Sequence, residues 1–346
     1  MRVLVVGGTG FVGSHAVRRL AARGHDLTLL HRGQTETELP AGVRHLRGDR
    51  AALGDLAAEV RQFAPDVVLH TVAMTQAHAR EAVRAFRGLA GRLVVLSSSD
   101  VYRARDRLFG IEPGEPDPVP LGEDAPLREV YYPYRAHAPA PDHWIHDYDK
   151  LLVEPAVLAE PELPAVVLRL PAVYGPGDPQ RRFHEYVKRV DDGRRAILLG
   201  AGRAGWRWTR GYVEDVATAA ALAVERPDAS GRVYNVGEPD APTEAEWARL
   251  VGRAAGWKGE VVVVPDDRLP AHLQMPLDWR QDLVVDSSRI RAELEYREAL
   301  PREEAVRRTV AWERAYPPAD PPAGARFDYD AEDAAIAALD AGPRGR

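Results

Sequence analysis

The segment VLVVGGTGFVGSHAV, residues 3–17, decides the fold class of this chain. A run of aliphatic residues leads into three glycines spaced G-x-x-G-x-x-G, and an amphipathic stretch follows. Glycines between a strand and a helix allow a sharp turn and let backbone N–H groups approach a pyrophosphate, whose charge is favoured by the helix N-terminus. The segment therefore predicts a dinucleotide-binding loop. Its predicted cofactor contacts are Gly7, Thr9, Gly10, Phe11, Val12 and Gly13.

Short aliphatic runs alternate with amphipathic stretches through the first half of the chain. Aliphatic runs of this length are typical of strands that are buried on both faces. Strands are predicted at 3–6, 27–30, 67–69, 93–96 and 165–168, and helices at 11–23, 51–63 and 77–89. Repeated strand–helix–strand units predict an α/β fold with a Rossmann-type, doubly wound parallel sheet and right-handed crossovers.

The pattern becomes mixed after residue 170. We predict a dinucleotide-binding Rossmann domain at 1–170, with returns to it near 207–236, and a smaller mixed α/β substrate lobe at 171–316. Further helices are predicted at 181–191, 214–225, 244–255, 287–293 and 302–315, and strands at 196–199, 233–236 and 261–264. Residues 317–346 are predicted to be a proline-rich linker and tail with a weak helix at 331–339. The proline-rich, charged and tyrosine-containing segment 103–142 is interpreted as a lid over a cleft.

Composition excludes several classes of protein. Lys and Arg together number 46, and Asp and Glu together number 52, which gives a net charge of −6. A negative net charge does not attract nucleic acid, so we do not expect the chain to bind it. The chain has no cysteine, which removes disulfides and thiolate metal sites. We predict no metal site, because the spacing of His137, His143 and His146 matches no closed site. The apolar runs are too short for a signal peptide or a membrane span, so we expect a cytoplasmic protein.

The end of the second strand, LLHRGQ at residues 29–34, bears on the choice of cofactor. In NAD-binding folds an acidic side chain here accepts the ribose hydroxyls. This chain has His31 and Arg32 instead, and a guanidinium can hold the 2′-phosphate of NADP. NADP is therefore favoured over NAD. Asp49, in the segment RGDR at residues 47–50, is expected to reach the adenine amino group, with Arg50 beside it.

Seven more motifs follow the glycine loop in a familiar order. They are DVVLHTVA (66–73), SSSDVY (97–102), DKLLVE (149–154), LRLPAVYGPGD (168–178), YVEDVA (212–217), GRVYNVGEP (231–239) and DSSRIRAELEY (286–296). With them, residues 1–316 resemble a short-chain dehydrogenase/reductase of the NAD-dependent epimerase/dehydratase type. The short segment from His70 to Ser97 and the HRG ending of the second strand are more similar to the atypical branch of that superfamily.

The resemblance implies an NAD(P)-dependent oxidoreductase, epimerase or dehydratase. Its substrate would be a hydroxylated small molecule such as a sugar nucleotide or a natural-product intermediate, and a homodimer is possible. Some atypical members act on or near RNA, so a non-redox cofactor-sensing or RNA-associated binding protein is the alternative. By resemblance, further cofactor contacts are expected at Thr71, Val72, Ala73, Lys150, Pro171 and Val173.

The acid/base position departs from the family pattern. The resemblance places the orienting hydroxyl on Ser98 and the ribose-binding lysine at Lys150, but the residue four before that lysine is His146 rather than tyrosine. Positions i and i+4 share a helix face, whereas Tyr148 would lie about 200° around from His146. A neutral imidazole beside a lysine can accept a proton.

Other readings of this position stay open. Tyr148 can itself be the acid/base, and if the helix begins late a tyrosine of the inserted loop (Tyr131, Tyr132 or Tyr134) can enter the site. A site without redox chemistry is the remaining reading. Sugar-nucleotide enzymes carry a diphosphate-binding arginine at the position of Trp208, and arginines flank it here. The expected substrate contacts are Ser99, Asp100, Tyr102, Arg182, Arg207, Trp208 and Arg210.

Overall fold

The computed structural model of the chain describes residues 1–35, 37–319 and 327–340. Its strands are β1 (Arg2–Val6), β2 (Asp26–His31), β3 (Arg44–Arg47), β4 (Val67–His70), β5 (Arg92–Ser98), β6 (Ala165–Leu170), β7 (Ala172–Tyr174), β8 (Ala196–Gly200), β9 (Arg210–Tyr212), β10 (Val233–Asn235) and β11 (Glu260–Val264). Its helices are α1 (Phe11–Ala22), α2 (Ala57–Phe63), α3 (Gln76–Phe86), α4 (Arg103–Leu108), α5 (Lys150–Leu158), α6 (His184–Asp191), α7 (Ala201–Gly205), α8 (Val213–Glu225), α9 (Glu244–Ala254), α10 (Ser288–Glu293), α11 (Arg302–Ala315) and α12 (Tyr329–Asp340).

The main sheet has seven strands in the order β10-β6-β5-β4-β1-β2-β3, and every pair of neighbours is parallel. The chain runs outward from β1 to β3, returns to β4 on the other side of β1, and then runs outward again. This reversal places a crevice beyond the carboxyl ends of β1 and β4, where open α/β sheets bind ligands. The predicted doubly wound parallel sheet is confirmed.

Both faces of the sheet are covered by helices, as the aliphatic runs require. Within β1, Val3 and Val5 belong to one hydrophobic core, while Leu4 and Val6 belong to the core on the other face. Side chains of a strand alternate between faces, so a strand buried on both sides must be apolar at every position. Val3–Val6 of β1 are buried, which explains why the aliphatic run before the glycine loop is so clear a signal in the sequence.

The second half of the chain adds two small parallel pairs, β7 with β9 and β8 with β11. The return to the main sheet is made by α8 and β10, and β10 pairs with β6. Strands β7 and β9 have only three residues each, which is too few to produce a recognisable pattern of apolar residues in the sequence. The domain boundaries at 170 and 316 stay predictions.

The tail helix α12 packs on the β8–β11 pair. Ile336 and Leu339 lie against a small core that contains Leu198 and Val264. The Glu332 carboxylate, which is fully buried, accepts a hydrogen bond from Arg189 Nη2 at 2.7 Å. The predicted tail helix is therefore present and slightly longer than expected, and residues 320–326 of the predicted linker lie outside the described residues.

Candidate active site

The glycine loop leaves open space where a pyrophosphate would lie. Gly7 has a φ of +90°, and a Cβ there would lie 2.5 Å from Val72 Cγ2. A Cβ on Gly13 would lie 2.4 Å from the Gly7 carbonyl oxygen, so this glycine lets α1 pack against the loop. A Cβ on Gly10 would meet no atom within 4 Å. Gly10 thus borders free space at the N-terminus of α1, whose first turn carries no acidic residue, and these residues fit an anionic dinucleotide.

A cleft beside this loop brings together seven of the sixteen predicted cofactor contacts. It measures about 190 Å³. Its lining includes Gly7, Thr9, Gly10, His31, Arg32, Arg50 and Val72. Thr71 does not line the cleft. Its hydroxyl donates to the carbonyl oxygens of Val6 (3.1 Å) and Gly7 (2.9 Å) and so stabilises the glycine loop. The Asp49 carboxylate accepts from the backbone N–H of Ala51 at 2.8 Å rather than lining the cleft.

Two cations line the cleft: Arg32, which follows β2, and Arg50, which follows β3. Burial lowers the pKa of Arg50, and the nearby Arg32 guanidinium lowers it further. His31 Nδ1 accepts from the Gly33 N–H at 3.1 Å, and its Nε2 lies 2.9 Å from His45 Nδ1. Burial, followed by the charges of His45 and Arg47, lowers the pKa of His31. Two guanidiniums therefore face the place where the ribose end of a dinucleotide would lie.

Helix α5 begins at Lys150 because Asp149 caps it. The Asp149 backbone is extended, and its carboxylate accepts from Leu151 N–H at 2.9 Å, as an N-cap does. The same carboxylate accepts from Tyr132 N–H at 2.8 Å and pairs with Arg128, and both side chains of the pair are fully buried. These contacts fix the chain before the helix and tie it to the inserted segment.

The prediction that His146 shares a helix face with Lys150 is wrong, because α5 begins only at Lys150. His146 precedes the helix, so it does not share a helix face with Lys150. Its side chain is one-third exposed, and Nδ1 lies 2.9 Å from the Asp147 carboxylate. It does not line the cavity that contains Ser98. The i, i+4 argument fails here because the helix needed for it does not extend back to residue 146.

Tyr148 lies in the site, contrary to the expectation that it points elsewhere. It is 9% exposed, forms an antiparallel bridge with Thr75, and its hydroxyl donates to Asp100 Oδ2 at 2.9 Å. Its ring centroid is 5.9 Å from Lys150 Nζ. Burial raises the pKa of Tyr148 well above its usual range, and the Asp100 charge raises it further, whereas a hydrogen bond with Ser98 acts in the opposite direction. Tyr148 is therefore a protonated phenol between Ser98, Asp100 and Lys150.

Lys150 is buried, and its ammonium group is held by backbone oxygens. Nζ donates to the carbonyls of Ala73 at 2.7 Å and Leu96 at 2.8 Å. Burial lowers the pKa of Lys150 to about 8. An ammonium has three N–H donors, so one remains for a ligand. Ala73, predicted to contact the cofactor, holds this lysine through its carbonyl.

A cavity of about 700 Å³ extends from Ser98 and Tyr148 into the second half of the chain. Of the predicted site residues, it brings together Ser98, Ser99, Asp100, Tyr148, Pro171, Arg182, Trp208 and Arg210. The segment predicted to be a lid contributes Tyr134, whose hydroxyl donates to Asp100 Oδ2 at 3.3 Å. Of the loop tyrosines that the sequence leaves as candidates for the site, Tyr134 lines the cavity, whereas Tyr131 is 55% exposed.

Three predicted contacts lie elsewhere. Tyr102 is fully buried, and its hydroxyl donates to Asn235 Oδ1 at 2.7 Å, so it is a core residue rather than a substrate contact. Arg207 pairs with Asp282 at 2.6 Å on the outside of the cavity. Val173 packs in the main hydrophobic core and presents only its carbonyl, which accepts from Arg182 Nη1 at 2.6 Å.

Three lining residues carry no local signal in the sequence: Arg105, Phe109 and Trp279. Trp206 also lines the cavity, and beside Trp208 in the sequence it is a candidate for stacking on a base or sugar. Trp279 approaches Trp206 because Trp206 Nε1 donates to the carbonyl of Gln281 at 2.8 Å, a contact across 75 residues. A contact between residues so far apart in the sequence is visible only in the folded structure. The aromatic content of the inserted segment also indicates part of this wall in advance.

Two general observations concern the described residues. Across 1–35, 37–319 and 327–340, no group of three or more His, Cys, Asp or Glu side chains is placed to hold a metal ion. In the same ranges, no helix combines the length and the apolar character that crossing a membrane requires.

Known proteins share both the sequence pattern and the fold of this chain. The model of the NAD dependent epimerase/dehydratase family matches residues 3–237. A 2-alkyl-3-oxoalkanoate reductase of Stenotrophomonas maltophilia (strain K279a) is 31% identical over 69% of this chain and 72% of its own length. A 3-diazoavenalumate denitrifying reductase of a Streptomyces species is 28% identical over 79% of this chain and 86% of its own. The solved structure of a Thermus thermophilus UDP-glucose 4-epimerase in complex with NAD is 26% identical, covers 91% of this chain and 99% of its own, and superposes with a TM-score of 0.63.

Proposed function

The chain belongs to the NAD dependent epimerase/dehydratase family, and from that premise we propose that it is an NADPH-dependent reductase of a carbonyl group in a small molecule, with Tyr148 as the proton donor. Family membership makes it an enzyme of the oxidoreductase, epimerase or dehydratase type, as the sequence predicted. The observation that carries the finer proposal is the Tyr148 hydroxyl, buried beside Ser98, Asp100 and Lys150.

The protonated state of Tyr148 is compatible with reduction. A phenol near neutral pH carries its proton, and the carboxylate of Asp100 beside it favours that state, so Tyr148 is in the form that donates a proton to a substrate oxygen. The bound nicotinamide cofactor would supply the hydride. Tyr148 then gives its hydroxyl proton to the substrate oxygen, and Ser98 orients that oxygen through its own hydroxyl. Reduction is also the reaction named for the two relatives described above.

The proposed preference for NADPH rests on positive charge beyond the ends of β2 and β3. Arg32 and Arg50 line the same cleft, and no carboxylate stands at His31 or Arg32 to repel a 2′-phosphate. Phosphate oxygens are bound well by guanidinium groups, which offer paired N–H donors. The cytoplasmic location and the homodimer stay predictions.

A cofactor titration tests the preference. Protein fluorescence is titrated with NADPH and NADH in parallel, for the unaltered chain and for Arg32→Asp. We expect NADPH to bind at least tenfold more tightly than NADH, and Arg32→Asp to reverse the order, because the new carboxylate repels a phosphate and accepts ribose hydroxyls. Arg61→Asp, on α2 and outside the cleft lining, is the control for the change of charge. Equal affinities in the unaltered chain would contradict the preference.

The proton donor is tested with matched substitutions. Tyr148→Phe removes the hydroxyl, so kcat of NADPH oxidation should fall by about 10²–10⁴-fold. His146→Ala should change kcat less than threefold, because the imidazole lies outside the cavity. Loss of activity in His146→Ala with normal activity in Tyr148→Phe would restore the sequence-based assignment and overturn this one.

A further inference from the structure

The wall of the large cavity is unusually rich in tryptophan. Four of the seven tryptophans of the chain line it: Trp144, Trp206, Trp208 and Trp279. The ring centroid of Trp206 is 5.6 Å from that of Trp208 and 5.4 Å from that of Trp279. At the catalytic end, the Trp144 ring lies 6.1 Å from the ring of Tyr148. Flat, apolar ring surfaces therefore extend from the proton donor into the second half of the chain.

The arginines of the cavity are already neutralised. Four arginines line it, and within the described residues each pairs with a carboxylate. Arg210 lies 2.7 Å from Glu244 and is only 4% exposed on its side chain. Arg182 lies 2.9 Å from Asp178. The remaining two pairs are Arg105 with Asp106 and Arg203 with Glu185. Because each guanidinium charge is balanced by its own carboxylate, the wall offers a diphosphate little net positive charge, even though Nε of Arg105, Arg182 and Arg210 has no hydrogen-bond partner in the described residues.

The cavity also suits a sugar poorly. A sugar brings several hydroxyl groups that must find partners when they leave water. Trp206 Nε1 donates to Gln281, and the hydroxyls of Tyr134 and Tyr148 both donate to Asp100. These groups are engaged within the wall, whereas Trp208 Nε1 and Asp100 Oδ1 have no hydrogen-bond partner in the described residues. Trp206 is only 8% exposed, so the ring surface left for stacking is that of the other lining tryptophans.

We propose that the substrate is a carbonyl compound built on an aromatic ring system, without a diphosphate, rather than a nucleotide sugar. The inference rests on the proposed function, because the carbonyl oxygen must reach Tyr148. The volume of about 700 Å³ is in the range of cavities that enclose a compound of two or three fused rings. Stacking on the tryptophan wall fixes the plane of the ring system and brings its carbonyl to the catalytic end.

The test uses three probes on the NADPH-loaded protein. 2-Acetylnaphthalene is an aromatic ketone, cyclohexyl methyl ketone has the same carbonyl on a non-aromatic ring, and UDP-glucose is a nucleotide sugar. Binding is measured by calorimetry and turnover by the loss of NADPH absorbance. We expect 2-acetylnaphthalene to bind at least tenfold more tightly than cyclohexyl methyl ketone and UDP-glucose not to compete with it.

A pair of substitutions isolates the stacking contribution. Trp208→Leu should raise KM for 2-acetylnaphthalene by about tenfold with kcat nearly unchanged, and should change KM for cyclohexyl methyl ketone much less. Trp312→Leu, on α11 and away from the cavity lining, is the matched control and should leave both KM values unchanged. Equal effects of Trp208→Leu on the two ketones would overturn the assignment of this wall to aromatic stacking.

The remaining outcomes separate the substrate class from the reaction. If 2-acetylnaphthalene binds but no NADPH is consumed, the aromatic class is supported and the reductase proposal fails. If UDP-glucose displaces 2-acetylnaphthalene, or if none of the three probes binds, the aromatic class is overturned. NADPH consumption with a nucleotide 4-ketosugar, but not with either simple ketone, would overturn the class while supporting the reductase.

Discussion

At Asp100 a carboxylate lies directly beside the proposed proton donor. Its Oδ2 accepts from the hydroxyls of both Tyr148 and Tyr134. The charge of Asp100 raises the pKa of Tyr148 and also raises that of Lys150, which burial alone would lower further. Asp100 thus keeps protons on both groups. The sequence does not predict this coupling, because it depends on a contact between residues 48 positions apart.

Asp100→Asn should move the alkaline side of the pH profile to lower pH. In the unaltered chain we expect kcat/KM to fall as pH rises through about 8, where Lys150 loses its proton. The asparagine removes the negative charge, so the pKa values of Lys150 and Tyr148 both fall and the decline begins at lower pH. Asp147→Asn makes the same change on an exposed carboxylate and should leave the profile in place. A profile of Asp100→Asn that is unmoved or shifted upward would contradict the coupling.

Among the elements, α5 shows where sequence reasoning succeeds and where it fails. The motif DKLLVE predicts a helix carrying Lys150, and it forms one. The helix does not extend back to His146, because Asp149 is extended and caps it, so the late start that the sequence left open is the one observed. Arg128 and Tyr132 N–H, which come from the inserted segment, bind the same carboxylate. The cap is a local signal, whereas these two contacts join distant parts of the chain and could not be predicted from the sequence.

Asp149→Ala should destabilise the chain and displace the proton donor. The change leaves the Arg128 guanidinium buried without its carboxylate and removes the helix cap, which together lower the free energy of unfolding by about 3–5 kcal/mol. Because Asp149 follows Tyr148 directly, kcat should fall as well. Denaturant unfolding and NADPH oxidation measure the two effects. Asp147→Ala, an exposed carboxylate two residues earlier, is the control, and equal unfolding midpoints for the two variants would contradict the role of Asp149.

In the molecule as a whole, the parts that sequence predicts best are those determined locally. The alternation of strands and helices, the glycine loop and the cofactor cleft follow from short patterns, and the structure confirms the sheet that they predict. The substrate cavity is different, because its wall joins residues such as Trp208 and Leu283 through pairing between distant segments. The mistakes at Tyr102 and Arg207 concern residues whose place depends on such long-range contacts, whereas His146 lies outside α5 because the helix is capped at Asp149.

The tail helix α12 also depends on a long-range contact, the buried ion pair between Glu332 and Arg189. Glu332 is fully buried against Arg189 and lies 3.2 Å from His272 Nε2. Glu332→Ala leaves the Arg189 charge buried and unpaired, so the free energy of unfolding should fall by about 3–5 kcal/mol. Asp330→Ala changes an exposed acid of the same helix and should have little effect. NADPH affinity should be unchanged in both variants, since α12 contributes nothing to the cofactor cleft. Denaturant unfolding with a parallel NADPH titration measures both quantities. A Glu332→Ala chain as stable as Asp330→Ala would mean that α12 does not hold the β8–β11 pair in solution.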